Sequence, residues 1–212
     1  MRLMPMVVYC ASTVLMAGVA QADVVGYWHF NGFDPANGAL VAASTGNGTL
    51  DCSSFGTGLT SFGGTDVNAL EGIVAGDSLG LTGSSHNGAI ATLSVSTIGY
   101  ADLTLSFAAR RSTTGFGNDR LEGLINGAWV LIDTFNPSTT AWTTHSINLS
   151  ALDPLENSIA ALRFVFDGAS SGSGTVRFDN LTLSGSAVPA PGAAALLASA
   201  GLVGRRRRRR GA

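Results

Sequence analysis

The sequence predicts an all-β domain, a two-sheet antiparallel sandwich of the jelly-roll type. The chain of 212 residues contains 28 glycines, and only 12% of its residues are charged. Ser, Thr and Asn are frequent, and no long stretch places apolar residues at helical spacing. Instead, short alternating segments recur about every ten residues with turn residues between them, which is typical of β-sandwiches. Helices in this domain are expected to be few and short.

At least eight strands are predicted from alternation or from β-branched and aromatic content. In chain order they span residues 24–30, 91–96, 101–110, 120–126, 128–135, 143–149, 161–167 and 175–184. The third is the clearest, because Leu103, Leu105 and Phe107 fall on one face of an extended chain. The pair Asn126-Gly127 separates the fourth strand from the fifth. Such a pair between two apolar runs is the strongest short-range signal for a β-hairpin.

Residues 23–187 are expected to form one domain, since about 165 residues suffice for a full hydrophobic core. They hold all fourteen acidic residues but only five arginines, and the chain has no lysine, so their formal charge is −9. An acidic body of this kind repels phosphate backbones, which argues against a nucleic-acid partner. Cys52 is the one cysteine of this segment and is expected to be a small buried residue rather than a reactive thiol.

The first 22 residues have the features of a secretory signal peptide. Arg2 provides the positive charge, and residues 4–17 form an apolar helix with few interruptions. Ala20 and Ala22 fit the small-residue rule for signal peptidase, so cleavage is expected before Asp23. A retained membrane helix is the alternative, but the apolar run is shorter than the roughly 20 residues that a spanning helix needs.

The C-terminal segment, residues 188–212, combines three parts. A Val-Pro-Ala-Pro-Gly box is followed by apolar residues 193–204 and by six consecutive arginines. Twelve residues make a helix of about 18 Å, which is too short for a bilayer core of about 30 Å. The arginines would be held on the cytoplasmic side, so an exported chain would pause at the inner membrane. The residues of this predicted signal are Val188, Pro189, Pro191, Gly192, Arg205, Arg206, Arg207, Arg208, Arg209 and Arg210.

This three-part tail resembles the PEP-CTERM class of bacterial exported proteins. The resemblance covers about the last 25 residues, and it departs from the usual pattern because Ala190 stands where the box normally has glutamate. It implies recognition by an exosortase-type membrane protease after passage through the secretion machinery. The implied location is the cell surface or extracellular matrix of a Gram-negative bacterium, reached after a transient inner-membrane stage.

The last predicted strand carries a second, shorter resemblance. The run Val176-Arg-Phe-Asp-Asn-Leu-Thr-Leu183 is similar to the closing strand of jelly rolls of the carbohydrate-binding-module type. That resemblance implies a structural calcium ion with Asp179 as a carboxylate ligand. The alternative is that Asp179 only hydrogen-bonds a turn, and the sequence leaves both roles open.

A ligand surface is predicted in the loop between the third and fourth strands. This loop concentrates positive charge and an aromatic ring in Arg110, Arg111, Phe116 and Arg120, which suits an acidic or polysaccharide partner. The alternative is a solvated hairpin tip whose arginines pair with Asp119 and the acidic background. Further aromatic candidates for stacking on sugar rings are Tyr27, Trp28, Trp129 and Trp142, although burial in the core is the expected use of most of them. Alternation places Tyr27 and Trp28 on opposite faces, so that at least one of them can face outward.

Catalysis is not indicated by any motif. The three histidines are dispersed, and neither a metal-binding His pair nor a nucleophile elbow is present. The sequence therefore favours a non-enzymatic, adhesive or structural protein that binds polysaccharide. The alternative is a secreted polysaccharide hydrolase with a β-sandwich catalytic domain, which would need two carboxyl groups facing each other across a cleft.

Overall fold

A computed structural model describes residues 22–188 of the chain. The predicted flanking helices, together with Ala20 and the sorting residues after Val188, lie outside the described residues. Between residues 22 and 188, no helix has the length and apolar character needed to cross a bilayer.

Thirteen strands and four short 3-10 helices make up the described part of the chain. The strands are β1 Asp23–Trp28, β2 Leu40–Ala42, β3 Thr45–Gly46, β4 Thr49–Asp51, β5 Leu59–Gly63, β6 Asp77–Thr82, β7 Ile90–Ser96, β8 Tyr100–Arg111, β9 Asp119–Ile125, β10 Ala128–Phe135, β11 Thr143–Asn148, β12 Ile159–Val165 and β13 Thr175–Ala187. The 3-10 helices are Pro35–Asn37, Ser53–Gly58, Ser84–His86 and Asp153–Leu155.

The strands form two antiparallel sheets, which confirms the predicted sandwich. Sheet A has seven strands in the order β11-β8-β13-β1-β3, with β6 beside β13 and β5 beside β6. Sheet B has six strands in the order β10-β9-β12-β7-β4-β2. From β6 onward the chain changes sheet at every connection except the β9–β10 hairpin, as in a jelly roll.

Aromatic side chains fill the space between the sheets. The ring of Phe107 stacks on Phe178 at a centroid distance of 4.9 Å and meets Phe164 edge-on at 5.3 Å. Each fully buried Phe contributes roughly 1.5–3 kcal/mol relative to an exposed one, so this cluster is a principal source of stability. Cys52 is also fully buried, as predicted, and burial raises the pKa of its thiol to about 12.

The eight predicted strands are present with bounds shifted by at most two or three residues. The hairpin at Asn126-Gly127 is confirmed, since both residues have positive φ, 52° and 82°. The five strands β2 to β6 were not predicted. Three of them have only two or three residues, and β6 carries Ser78 and Gly80 on the face opposite its leucines, so its apolar pattern is incomplete.

The outer face of sheet A is covered by residues 64–76, the cover segment, which connects β5 to β6. Beneath it, Tyr27 donates a hydrogen bond to Oδ1 of Asn180 at 2.6 Å, and the amide of Asn180 donates to the carbonyls of Thr65 and Val67. The expectation that Tyr27 or Trp28 faces solvent is therefore wrong, because both are fully buried. Trp28 lies in the main core, and Tyr27 lies under the cover segment.

Candidate functional site

A pocket of about 470 Å³ lies where β9 begins and β10 ends. Its outer parts are polar and exposed, whereas Phe135 and Asp119 are buried. These two residues face each other in the antiparallel register of β9 and β10. The lining residues are Gly117, Asn118, Asp119, Arg120, Thr134, Phe135 and Asn136.

Asp119 is the unusual residue of this pocket. Its side chain is fully buried, and its Oδ1 accepts a hydrogen bond of 3.2 Å from the backbone amide of Asp167. Its Oδ2 has no hydrogen-bond partner among the described residues. Burial raises the pKa of Asp119 to about 8, and the Asp167 carboxylate adds to this, although the Asp167 amide and the Arg111 guanidinium act in the opposite direction. The raised pKa favours the protonated carboxyl, which can donate a hydrogen bond.

Hydrogen bonds between loops fix the rim of the pocket. Nε of Arg111 donates to Oδ1 of Asn136 at 2.8 Å and to the carbonyl of Pro137 at 3.1 Å. On the opposite side, the amides of Gly117 and Asn118 both donate to the carbonyl of Asp167 at 3.0 Å. These bonds connect the segments that follow β8, β10 and β12, and they fix the positions of the residues at the rim.

Phe135 forms the apolar part of the pocket wall. Its ring packs edge-on against Phe107 at 5.2 Å and lies 5.5 Å from the ring of His145. Burial lowers the pKa of His145, which favours the neutral imidazole. The pocket therefore combines one apolar ring with amide, hydroxyl, guanidinium and carboxyl groups. Such a mixture suits a ligand that has both hydroxyl groups and apolar C–H faces.

A charged network begins at Arg120 and continues along the outer face of sheet B. Nε of Arg120 lies 3.6 Å from Oε1 of Glu122, and a terminal nitrogen of Arg163 lies 2.6 Å from Oε2 of Glu122. The guanidinium of Arg163 also lies 4.4 Å from the ring centre of Trp129, in a cation–π arrangement. Trp129 is 36% exposed, so it is the tryptophan among the candidates that the structure presents on a sheet face.

The predicted ligand loop is divided by the structure. Arg111 and Arg120 lie at the pocket. Arg110 lies on the outer face of sheet A, opposite Arg177 in the register of β8 and β13. The prediction that Phe116 lies on the ligand surface is wrong, because this residue is fully buried and packs edge-on against Phe55 and Phe166. The alternative is met in part: between residues 22 and 188 no loop arginine forms an ion pair with Asp119, but Arg120 pairs with Glu122 of the acidic background.

Asp179 hydrogen-bonds the cover segment, and its role as a calcium ligand stays a prediction. Its Oδ2 accepts from the amide of Thr65 at 2.7 Å, and its Oδ1 accepts from the amide of Asn180 at 2.8 Å. Burial raises its pKa to about 7, and the neighbouring carboxylate of Asp77 acts in the same direction. Within the described range, no group of three or more His, Cys, Asp or Glu side chains is placed to hold a metal. The structure therefore supports the open alternative in which Asp179 hydrogen-bonds the cover segment.

Several site residues were not singled out from the sequence. Asn118, Thr134 and Asn136 line the pocket, and Glu122 links the two arginines of the outer face. Counting residues away from the Asn126-Gly127 turn would have placed Glu122 opposite Leu131, as observed. The same count fails beyond Leu131, because a bulge shifts the register there and brings Thr134 opposite Arg120.

Comparison with known proteins gives distant likenesses in structure. No protein-family model matches the chain, and no curated protein matches it significantly. The CBM22-1 xylan-binding domain of Xyn10C from Paenibacillus barcinonensis is 13% identical, with 82% of this chain and 100% of that chain covered and a TM-score of 0.45.

Two further structures show a similar level of likeness. The CBM22-1–CBM22-2 tandem of the same Xyn10C is 12% identical, with 82% of this chain covered and a TM-score of 0.47, and the match spans about half of that chain, 48%. The K2 cleaved adhesin domain of Lys-gingipain is 12% identical, with 68% and 90% of the two chains covered and a TM-score of 0.42. Because these identities and TM-scores are low, the function of this chain has to be argued from its own site.

Proposed function

We propose that this chain is an exported protein of the bacterial surface or extracellular matrix whose β-sandwich binds polysaccharide. The pocket at Asp119 holds a sugar unit, and the role of the protein is adhesive or structural. The predicted signal peptide takes the chain through the secretion machinery. The C-terminal segment, 188–212, serves as a sorting signal for an exosortase-type protease.

One observation carries the binding proposal, namely the buried and unpartnered Oδ2 of Asp119 in a residue that lines the pocket. A buried polar atom without a hydrogen bond costs about 1–3 kcal/mol. Because Oδ2 of Asp119 is closed off from solvent, the pocket wall has to move slightly before a ligand hydroxyl can bond to it and recover that energy. The pocket volume of about 470 Å³ lies in the usual range for small-ligand sites. Asn118 and Asn136, which are exposed, offer amides to the hydroxyls of a sugar, and Phe135, which is 7% exposed, offers only an edge of its ring to C–H groups.

Binding is favoured over hydrolysis by the carboxyl groups of the pocket. Glycoside hydrolysis normally uses two carboxyl groups on either side of the scissile bond, about 5–10 Å apart. Among the residues that line this pocket, Asp119 is the one carboxyl group. We therefore expect the protein to hold a glycan without turning it over.

Isothermal titration calorimetry of the exported protein against xylo-, cello- and galacturono-oligosaccharides tests the binding proposal. We expect at least one series to bind, with no new reducing ends after prolonged incubation. Asp119→Leu should weaken binding at least tenfold. Asp66→Leu is the control, because Asp66 is exposed on the cover segment of the other sheet. Equal affinities for Asp119→Leu and the wild-type protein would contradict the proposed site, and measurable turnover would support the hydrolase.

The sorting proposal is tested by the intact mass of the protein recovered outside its host cells, with and without the candidate protease. We expect a chain that starts at Asp23 and ends between Val188 and Gly192. The arginine tail should be retained only in the protease-deficient cells. A full-length C-terminus in both strains would contradict sorting and would make the tail a lasting membrane anchor.

A further inference from the structure

The pocket at Asp119 continues onto the outer face of sheet B. Arg120 and Thr134 face each other across β9 and β10, and both line the pocket. In a strand, side chains two residues apart share a face, so Glu122 and Leu124 follow Arg120 on the outer side. This outer face therefore begins at the mouth of the pocket and leads away from it.

Polar groups along this face form one connected row. Glu122 accepts from Nε of Arg163 at 2.7 Å and contacts Arg120 through its other oxygen. The side chains of Arg120 and Arg163 remain 42% and 26% exposed, whereas that of Glu122 is 13% exposed. The shared carboxylate thus holds both guanidinium groups in place while they still reach solvent. Fixed donors of this kind lose little conformational entropy when they bind hydroxyl groups.

An aromatic side chain ends the row. Trp129 lies opposite Leu124 in the register of β9 and β10, and Arg163 packs over its ring. Leu131, which is 54% exposed, lies opposite Glu122 beside it. An exposed tryptophan that is fixed by a cation on its ring offers a stable surface for stacking against a sugar.

We propose that Arg120, Glu122, Arg163 and Trp129, the β9 row, form an extension of the sugar site that receives further units of a neutral polysaccharide chain. This inference rests on the proposed function of the pocket. From Arg120 to Leu124, which is paired with Trp129, β9 rises by about 13 Å, enough for about three sugar units beyond the pocket. The ligand is therefore the interior of a polymer chain, bound lengthwise, rather than a single sugar.

The charges of the β9 row favour a neutral polymer. Its two arginines share the carboxylate of Glu122, so that one of the two positive charges is compensated within the row. The surrounding domain carries a formal charge of −9, which repels polyanions. Hydrogen bonds and stacking, rather than ion pairs, are thus the interactions that the row offers.

The experiment measures affinity against the length of the oligosaccharide. Neutral xylo-, cello- and manno-oligosaccharides of one to six units are titrated into the exported protein by calorimetry. We expect the affinity to rise at least tenfold from one unit to about four units and then to level off. Trp129→Ala should reduce the affinity for the longer sugars to that of the single unit while leaving the single unit unaffected.

A matched control is available on the same sheet. Leu40→Ala alters an apolar side chain that is 65% exposed on β2, at the opposite edge of sheet B, and it should change nothing. Circular dichroism of each variant checks that the fold is kept. An altered oligomeric state of Trp129→Ala without an affinity change would make the row a protein contact and would overturn the inference.

The outcomes separate this inference from the proposed function. If a single unit binds as tightly as four units, the pocket stands and the β9 row is not part of the site. If galacturono-oligosaccharides bind more tightly than the neutral series, the neutral polymer is excluded. If no sugar of any length binds, the proposed function itself fails, and the extension fails with it.

Discussion

Tyr27 donates a hydrogen bond of 2.6 Å to Oδ1 of Asn180 across two neighbouring strands of sheet A, and the cover segment closes over both side chains. Asn180 has a positive φ of 50° and lies at a bulge in β13. Its backbone amide donates to Oδ1 of Asp179 instead of continuing the ladder, and its side chain points toward the cover segment. Its Nδ2 donates to the carbonyls of Thr65 and Val67 at 2.8 and 2.9 Å. Asn180 is thus a main attachment of the 13-residue cover segment to the sheet, beside the bonds that Asp179, Tyr27 and Ser106 accept from it.

Replacing Asn180 should therefore release the cover segment. Asn180→Ala removes three hydrogen bonds and leaves buried partners unpaired, so we expect a loss of about 3 kcal/mol in the free energy of unfolding. Tyr27→Phe removes one of these bonds and should cost about 1 kcal/mol. Urea unfolding measures both values, and limited proteolysis within residues 64–76 should be faster in Asn180→Ala. Equal proteolysis of that variant and the wild-type protein would show that other contacts hold the segment.

The principal strands could be predicted because apolar alternation reports which residues face the core. That alternation also reports that Tyr27 and Trp28 lie on opposite faces of β1, but not that a loop covers the second face. Burial of Tyr27 depends on the cover segment, whose own sequence has no alternating pattern. The pattern of neighbouring residues cannot report such contacts, because they join residues more than 40 positions apart, as between Tyr27 and Leu70.

The pocket could be predicted only in part, for a similar reason. Arg120 was identified from the local concentration of positive charge, but Phe116 turned inward because three phenylalanines meet there. The bulge near Ile132 moves every later residue of β10 by one position relative to β9. A simple count from the turn would place Asp133 opposite Arg120, whereas the bulge brings Thr134 there.

Close backbone packing joins the loop after β8 to the first residue of β13. A Cβ atom on Gly115 would overlap the backbone of Thr175, whereas a Cβ atom on Gly172 would meet nothing within 4 Å. We expect Gly115→Ala to destabilise the protein by at least about 2 kcal/mol through a forced backbone shift. Gly172→Ala in the neighbouring loop should be nearly neutral. Thermal unfolding of both variants measures the difference, and similar melting temperatures would show that the loop and β13 can separate without cost.

Calcium should not stabilise the fold through Asp179. Each of its oxygens already accepts a backbone hydrogen bond, and burial raises the pKa of the carboxyl to about 7, so that an ion would have to compete with a bound proton. A ligand present at about 100 times its dissociation constant adds about 2.7 kcal/mol, which is readily seen in thermal unfolding. We expect the same melting temperature in excess CaCl₂ and in EDTA. A rise with CaCl₂ that is absent in Asp179→Asn would restore the calcium role for this residue.

Buried Asp119 should make stability depend on pH in a direction opposite to that of a salt-bridged aspartate. Its folded pKa of about 8 lies above the ordinary value of 3.8, so the folded chain keeps a proton that the unfolded chain releases. The contribution of this carboxyl group to the free energy of unfolding is therefore fully present below about pH 4, and it is lost as the pH rises from there to about 8. Asp179, with a folded pKa of about 7, acts in the same direction.

Asp119→Asn isolates the contribution of the first carboxyl group, because asparagine keeps an acceptor for the amide of Asp167 and does not ionise. The melting temperature of the wild-type protein relative to Asp119→Asn should fall between pH 5 and pH 8 by about 2–4 °C for each kcal/mol involved. A shift of one pKa unit corresponds to about 1.4 kcal/mol in the free energy of unfolding. We therefore expect the free energy of unfolding of the wild-type protein to fall by at least about 1 kcal/mol relative to Asp119→Asn over this pH range. Asp66→Asn, at an exposed position, should follow the wild-type curve. A constant difference between wild-type and Asp119→Asn across this range would mean that the Asp119 carboxyl is already ionised at pH 5, and its donor role in the pocket would then be lost.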